Sequence, residues 1–305
     1  MNAPFHLRAL RAAMRATDTL APDLARRWAQ RLFTTPPRHA APEAERASLR
    51  RACPFRFHSG ALSLQGWSWG EGPAVLLAHG WGGRGGQLHA FVQPLLDEGY
   101  SVLAFDGPGH GRSGGHTASI PMFAQAMKDL SEARGPFHAV IGHSLGGASA
   151  AYALSHGLPC ARAVLLAAPE SPEGFYRDLL TAFGFPQARQ EACLRAMERD
   201  YGLRLEDVHG PSRAAQIRVP GLIVHDSQDR EVPVAQGEAY ADAWPGATFL
   251  RTDGLGHRRI LRDEGVIARA VAFLNEGGPI ASGPIQGEGP RSLEWHLFRR
   301  DLRFA

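Results

Sequence analysis

Ser144 is the residue around which chemistry can be built, because it stands between Gly142 and Gly146 in the run Gly-His-Ser-Leu-Gly. An apolar, β-branched stretch at 137–141 leads into Gly142, and small residues that tolerate a helix resume after Leu145. That succession implies a strand, a sharp turn and a helix. On so tight a turn the serine backbone is strained, and a side chain at either glycine would strike the adjoining strand or helix. The hydroxyl is thereby pushed into the open. A serine hydroxyl is a poor nucleophile until a base takes its proton, and a carboxylate must then hold that base in one tautomer. Carboxylates are available at Asp226 and Asp229, behind an apolar strand at 222–225, with Glu170 a distant third. A base is available at His257, in Asp-Gly-Leu-Gly-His, between a glycine-rich loop and the last helix. Such a set can transfer an acyl group to water through a covalent serine ester.

These residues need a scaffold, and from Pro54 onward short strands alternate with helices. Strands are expected at 55–57 and 61–69 as an antiparallel pair, then at 74–78, 101–105, 137–141, 163–167, 221–225 and 247–251. Helices are expected at 87–98, at 120–133, after Ser144, and at 261–275. This alternation implies a mostly parallel sheet covered on both faces, with functional groups on loops beyond the carboxyl ends of the strands. The first such loop, His-Gly-Trp-Gly-Gly-Arg-Gly-Gly at 79–86, has two readings. Gly80, Gly82 and Gly85 satisfy Gly-x-Gly-x-x-Gly, and Asp106 ends the next strand where a ribose-binding acid would sit, so a dinucleotide fingerprint is one. The other aims the backbone N–H of Trp81 at a developing oxyanion. The nucleophile turn two strands later decides between them, since only the second reading requires it. The next loop, Asp106 to Ser113, is assigned a structural role, with His110 as a hydrogen-bonding loop residue.

Gly142–Gly146, in its strand-to-helix setting, resembles the nucleophile elbow of the α/β-hydrolase superfamily. Asp106-Gly-Pro-Gly-His-Gly-Arg-Ser113 resembles the Asp-x-x-Gly-x-Gly-x-Ser turn frequent there. Asp226-Ser-Gln-Asp229-Arg-Glu-Val-Pro233 resembles the superfamily's acid loop, whose second Asp precedes x-x-Val-Pro. The likeness spans roughly residues 54–275, and it is nearest to the esterase and serine-peptidase-like branch with a His-Gly-Trp-Gly-Gly oxyanion loop. It implies an α/β-hydrolase fold: a mostly parallel sheet of about eight strands, helices on both faces and a small helical lid. It further implies Ser144 as nucleophile, His257 as base, Asp229 as acid, and the N–H groups of Trp81 and Leu145 as oxyanion donors. His143 would shape the pocket wall. Serine rather than aspartate at the nucleophile position argues against dehalogenase or epoxide hydrolase chemistry. No cofactor and no metal are called for, and the substrate would be a small-molecule carboxylic ester, a thioester or a small amide. A perhydrolase or thioesterase could use the same triad. From other classes, a non-catalytic binding module on this fold and an NAD-binding oxidoreductase are the alternatives.

Composition bounds the remainder. At 305 residues, 44% hydrophobic and 21% charged, the chain suits one large α/β domain with additions. Its formal charge of +3 and pI near 9.0 reflect a slight arginine excess, too weak to argue for nucleic acid. The three cysteines, Cys53, Cys160 and Cys193, are widely spaced, which points to a reducing, cytoplasmic setting. No apolar run reaches the length of a membrane span, so no integral membrane contact is expected. Residues 1–50 form a basic arm, with nine arginines against Asp18, Asp23, Glu43 and Glu45. Leu24, Trp28 and Leu32 recur there at helical spacing, and such a stripe predicts a helical arm packed on the body rather than an import signal or a membrane-surface helix. The hydrolase domain is expected at 51–276, with a lid inserted at about 171–215. In the lid's first half Phe175, Tyr176, Leu179, Leu180, Phe183 and Phe185 should mostly seal it onto the body, two or three of them lining an acyl pocket. The second half, 187–201, reads as a charged amphipathic helix. A Gly/Pro-rich linker and tail, 277–305, closes the sequence.

Overall fold

Apolar residues on both faces of consecutive short strands allow only a sheet sandwiched between helices. The computed structural model, which describes residues 5–276, has that architecture, and the linker and tail expected at 277–305 lie outside the described residues. Three helices come first: α1 (Phe5–Leu20), α2 (Pro22–Thr34) and α3 (Glu43–Arg50). The strands are β1 (Cys53–Ser59), β2 (Leu62–Trp69), β3 (Ala74–Ala78), β4 (Ser101–Phe105), β5 (Phe137–His143), β6 (Cys160–Leu166), β7 (Gly221–Asp226) and β8 (Ala247–Thr252). They make one sheet in the order β1-β2-β4-β3-β5-β6-β7-β8. The β1–β2 and β2–β4 pairs are antiparallel, and every later pair is parallel.

Alternation along the strands divides the core. Leu76, Phe105, Val140, Leu165 and Ile223 face one side, under α5 (Ile120–Arg134) and α6 (Leu145–Ser155). Val75, Leu77, Ile141, Val164 and Val224 face the other, under α4 (Val92–Asp97) and α11 (Glu264–Asn275). Two expectations change in detail. The helix expected at 87–98 is a single 3₁₀ turn, His89–Phe91, followed by the six residues of α4. The last helix starts at Glu264 because the Asp263 side chain accepts from the Val266 N–H and caps it. A helix not expected from the sequence, α10 (Val234–Ala243), joins β7 to β8; of its residues only Gly237 and Tyr240 are buried, too few to print a periodicity.

Between β6 and β7 lie α7 (Glu173–Phe183), α8 (Gln187–Tyr201) and the short α9 (Gly210–Ala214). Tyr176, Leu180, Phe183 and Phe185 do not face the sheet. They form a separate apolar cluster with Met14, Ala25, Ala29, Cys193, Leu194 and Met197, so the insertion and the N-terminal helices share one core. α2 joins it by the face opposite to the one its sequence suggests. Ala25 and Ala29 are buried, and their small side chains let α2 approach closely enough for Phe33 to meet Tyr176 at 4.8 Å between ring centroids. The stripe predicted to pack is instead outside, with Leu24 44%, Trp28 48% and Leu32 52% exposed. A strap after α2 fastens this layer to the body: the Arg38 guanidinium donates to the carbonyls of Gly109, Gly111, Ser113 and Gly115 at 3.0–3.2 Å. Since Leu180 is fully buried in the shared cluster, Leu180→Ala should destabilise this layer by about 2–5 kcal/mol. Hydrogen exchange should then accelerate in α1, α2, α7 and α8 while the sheet amides keep their protection; uniform acceleration would show that the layer has no separate core.

Candidate active site

β5 delivers the chain to Ser144, which has φ 51 and ψ −120, a conformation that only surrounding packing can impose on a residue with a side chain. The packing is visible on either side. A Cβ on Gly142 would lie 2.6 Å from the Gly146 carbonyl, and one on Gly146 would collide with the carbonyls of Ala78 and His79. The Ser144 N–H donates to the Leu166 carbonyl at 2.9 Å, tying the turn to β6. Behind it α6 opens with Leu145, whose N–H belongs to the first helical turn and has no partner within the helix.

At the far side of the sheet the two acids take different parts. Asp226, fully buried at the end of β7, accepts from the Gln228 N–H at 3.0 Å, the Thr252 hydroxyl at 2.8 Å and the Leu255 N–H at 2.9 Å. Burial opposes its charge, but these donors and the Gly256 N–H together hold its pKa below the usual carboxylate value. Asp229 lies three residues on. Its Oδ1 accepts from the Glu231 and Val232 N–H groups at 2.8 and 2.9 Å, and its Oδ2 meets Nδ1 of His257 at 2.7 Å. His225 Nε2 donates to the Val232 carbonyl at 2.9 Å and lies 3.5 Å from Asp229 Oδ2. Burial again works against the charge, and the His225, His257 and Val232 donors outweigh it, so Asp229 stays ionised well below the ordinary carboxylate range. Glu170 is remote from this pair: its N–H is held by Gln236 and its carbonyl by the Gly210 N–H.

The structure gives His143 a task that its sequence position did not reveal. Its ring is buried, lies 4.7 Å from the His257 ring, and donates from Nε2 to the His257 carbonyl at 2.9 Å. Burial, with His257 beside it, lowers its pKa to about 3, so the ring stays neutral and its Nδ1 faces Gly80 without a partner. The elbow residue before Ser144 thus fixes the backbone that carries His257. The only signal in the sequence was a histidine at a position where any side chain is allowed.

The glycine-rich loop spends its amides internally. Gly80 N–H donates to Gln87 Oε1, Gly82 N–H to His110 Nε2, Gly83 N–H to the Gly80 carbonyl, and Gly85 N–H to Asp106 Oδ1. Asp106 is saturated further by the Arg112 N–H at 2.6 Å. Four of the loop's amides are thus engaged, both Asp106 oxygens accept from the backbone and are not free for a ribose, and only a 3₁₀ turn and a six-residue helix follow the loop. Trp81 N–H, by contrast, donates to no acceptor among the described residues. His79 accepts the Gly107 N–H at Nε2, so its other nitrogen carries the proton and donates to the Gly80 carbonyl.

Ser144, Leu145, His257 and Trp81 all open on a cavity of about 2000 Å³. Phe175 and Leu179 are the two aromatic-half residues that reach it. A contribution absent from the sequence reading comes from the arm, since Arg27, Leu32, Phe33 and Pro37 also line it.

Residues 72–180 match the family described as "Serine aminopeptidase, S33". The chain is 29% identical over 247 residues to a pimeloyl-[acyl-carrier protein] methyl ester esterase of Chromobacterium violaceum, covering 67% of this chain and 94% of that one. A protein of the same description from Xanthomonas campestris is 27% identical over 244 residues, covering 66% and 94%. Among solved structures, an esterase from Pyrococcus furiosus superposes with a TM-score of 0.61 at 19% identity, covering 79% of this chain and 97% of that one. An esterase from Exiguobacterium antarcticum gives 0.58 at 16% identity, with 72% and 98% covered.

Three buried neutral histidines surround the Ser144 turn, and they set an acid limit on stability. Burial lowers His143 to about 3 and His110 to about 4, and burial with His110 alongside takes His79 well below the usual value. In the unfolded chain each would titrate near about 6.5. The unfolded state therefore binds more protons as pH falls below that value, so stability is complete above it and declines toward pH 4. Urea midpoints should fall steadily between about pH 6.5 and 4.5, and His110→Gln, which can still accept from Gly82, should flatten the slope. A flat profile over that window would mean that these rings titrate alike folded and unfolded.

Proposed function

We propose that this chain, which has the α/β-hydrolase fold, is a serine hydrolase that cleaves carboxylic esters through an acyl-serine intermediate. The observation that carries this reading is the 2.7 Å bond between His257 Nδ1 and the ionised Asp229, opening on the same cavity as the strained Ser144. With Nδ1 engaged, Nε2 is the nitrogen left to take the Ser144 proton, as a general base requires. His257 deprotonates Ser144, the hydroxyl oxygen attacks the acyl carbon, and the N–H groups of Trp81 and Leu145 stabilise the oxyanion. One such donor is commonly worth about 2.7–4 kcal/mol of transition-state stabilisation. Protonated His257 then gives its proton to the departing alkoxide. Water, activated by the same ring, releases the acid and restores the hydroxyl. Asp229 keeps the tautomer and stabilises the imidazolium without itself taking a proton.

The relatives' description as methyl ester esterases supports an ester over a thioester or an amide. The engaged Gly80, Gly82 and Gly85 amides and the saturated Asp106 carboxylate speak against a dinucleotide, and the ordered Asp229–His257 pair against a silent binding module. We read residues 51–276 as the hydrolase domain and the insertion at 171–215, together with the arm, as its lid; Phe175 and Leu179 are the acyl-facing residues of that lid.

A fluorophosphonate probe should label the wild type and not Ser144→Ala; equal labelling of both would remove Ser144 from the mechanism. Asp229→Asn should lower kcat by about 10⁴-fold with the fold intact by circular dichroism, as tautomer loss does in another triad. Asp226→Asn should instead show its main effect in the denaturation midpoint, because its carboxylate accepts at least three donors. A stable Asp226→Asn protein with the crippled kcat, beside an active Asp229→Asn, would reverse the assignment. Phe175→Ala should reduce the octanoyl-to-acetyl preference in kcat/KM by about tenfold, the scale of an apolar pocket contact. Equal losses for both esters would take Phe175 out of chain-length selection.

A further inference from the structure

Among the described residues the outward face of α2 has no partner, and its composition indicates what covers it. Leu20 at the end of α1 is 85% exposed, and Leu24, Trp28 and Leu32 continue the line at four-residue intervals. At 1.5 Å per residue the α2 part of this stripe is about 12 Å long. Single exposed apolar residues are ordinary on a surface, but an aligned run of large ones marks an interaction site. Two cations lie in the same face. Arg27 and Arg31 are exposed and form no ion pair among the described residues, whereas Arg26, on the flank, is bound to Asp200 at 2.6 Å.

The stripe is continuous with the mouth of the cavity. Leu32 is both exposed and part of the cavity lining, as are Trp81, Phe175 and Tyr201, which are 40%, 38% and 39% exposed. Apart from Leu10 and Leu20 of α1, the large exposed apolar residues among the described residues are therefore gathered at one entrance and on the helix that leads to it. A convex helix carrying apolar residues interspersed with unpaired arginines, with a tryptophan among them, suits a flat, hydrated, anionic boundary into which it can sink by a few ångströms. A groove-shaped protein site would call for the opposite curvature.

We propose that α2 docks this protein on an anionic lipid surface, with the cavity mouth turned toward the lipid. The apolar stripe enters the headgroup region, and Arg27 and Arg31 meet lipid phosphates. The docking stands on the surface residues alone; that the lipid phase then supplies the ester rests on the proposed esterase reading.

The test is co-sedimentation of the full chain with vesicles of phosphatidylcholine containing 30% phosphatidylglycerol, and with pure phosphatidylcholine vesicles. Binding should require phosphatidylglycerol and weaken with added salt. The double variant Leu24→Ser, Trp28→Ser should lower the partition coefficient at least tenfold, and Arg31→Gln about fivefold, the effect of one basic residue at such a surface. None of these three residues lines the cavity, so turnover of a short water-soluble ester should be unchanged, which separates failed docking from a failed active site. Equal binding by wild type and double variant, or no binding to the anionic vesicles, would overturn the proposal. So would a concentration-dependent dimer of the wild type in sedimentation velocity that the double variant abolishes, which would give the face to a second copy of the chain.

Discussion

The Asp226 carboxylate holds two loops of separate origin together. Through the Gln228 N–H it shapes the turn carrying Asp229, and through the Thr252 hydroxyl and the Leu255 N–H it seats the turn carrying His257. The 2.7 Å contact between Asp229 and His257 depends on both turns being in register. From the opposite side His143 fixes the His257 carbonyl. His257 is thus positioned three ways: by its own ring nitrogen, by the amide of Leu255 at the turn before it, and by its own carbonyl. A carboxylate placed this deep stays charged because its donors together outweigh the cost of burying it.

The same economy governs Ser144. Its strained backbone persists because α6 packs so closely on β5 and on the end of β3 that glycine is compulsory at both flanking positions. Strain of this kind costs on the order of 1–3 kcal/mol, which a turn buried between β3, β5 and β6 can absorb. The loop after β3 is held from behind by Gln87, His110 and Asp106, while Trp81 lines the cavity with its amide N–H unengaged among the described residues.

How much of this was legible in the sequence follows from what each signal encodes. Buried parallel strands write continuous apolar runs, and 74–78 and 101–105 coincide with β3 and β4. The Gly-x-Ser-x-Gly turn was legible because its steric demand falls on residue types. The choice between Asp226 and Asp229 rested on a motif alone, since both are three-bond carboxylates on one loop and the chain carries no distance. Nor does it carry the direction in which an amphipathic helix faces: on α2 the large apolar residues pointed to one face as buried, and the structure buries the alanines. That inversion has a cause outside α2. Tyr176, Leu180 and Phe183, some 150 residues away in sequence, supply the bulk, and a facing surface of alanine is what accommodates it. The role of His143 was hidden for a similar reason, because its partner is a backbone carbonyl 114 residues away.

Charge is confined in a way that bears on the chemistry. Of the ionisable groups around Ser144, His79, His110 and His143 are each kept neutral by burial, and Asp106 has its pKa raised by the same cause. Asp226 and Asp229 are the groups whose ionised form is reinforced, Asp229 by His225, His257 and the Val232 amide. A positive charge on His257 would therefore meet the Asp229 carboxylate at 2.7 Å, with the ionised Asp226 at the turn before it, and neutral imidazoles that do not repel it. Had His143 been protonated at 4.7 Å between ring centroids, two imidazolium ions would face each other in a poorly hydrated space, at a cost of several kcal/mol. Burying His143 so that only its neutral form is tolerated removes that repulsion, and the hydrogen bond it donates as a neutral ring is one of the three contacts that position His257.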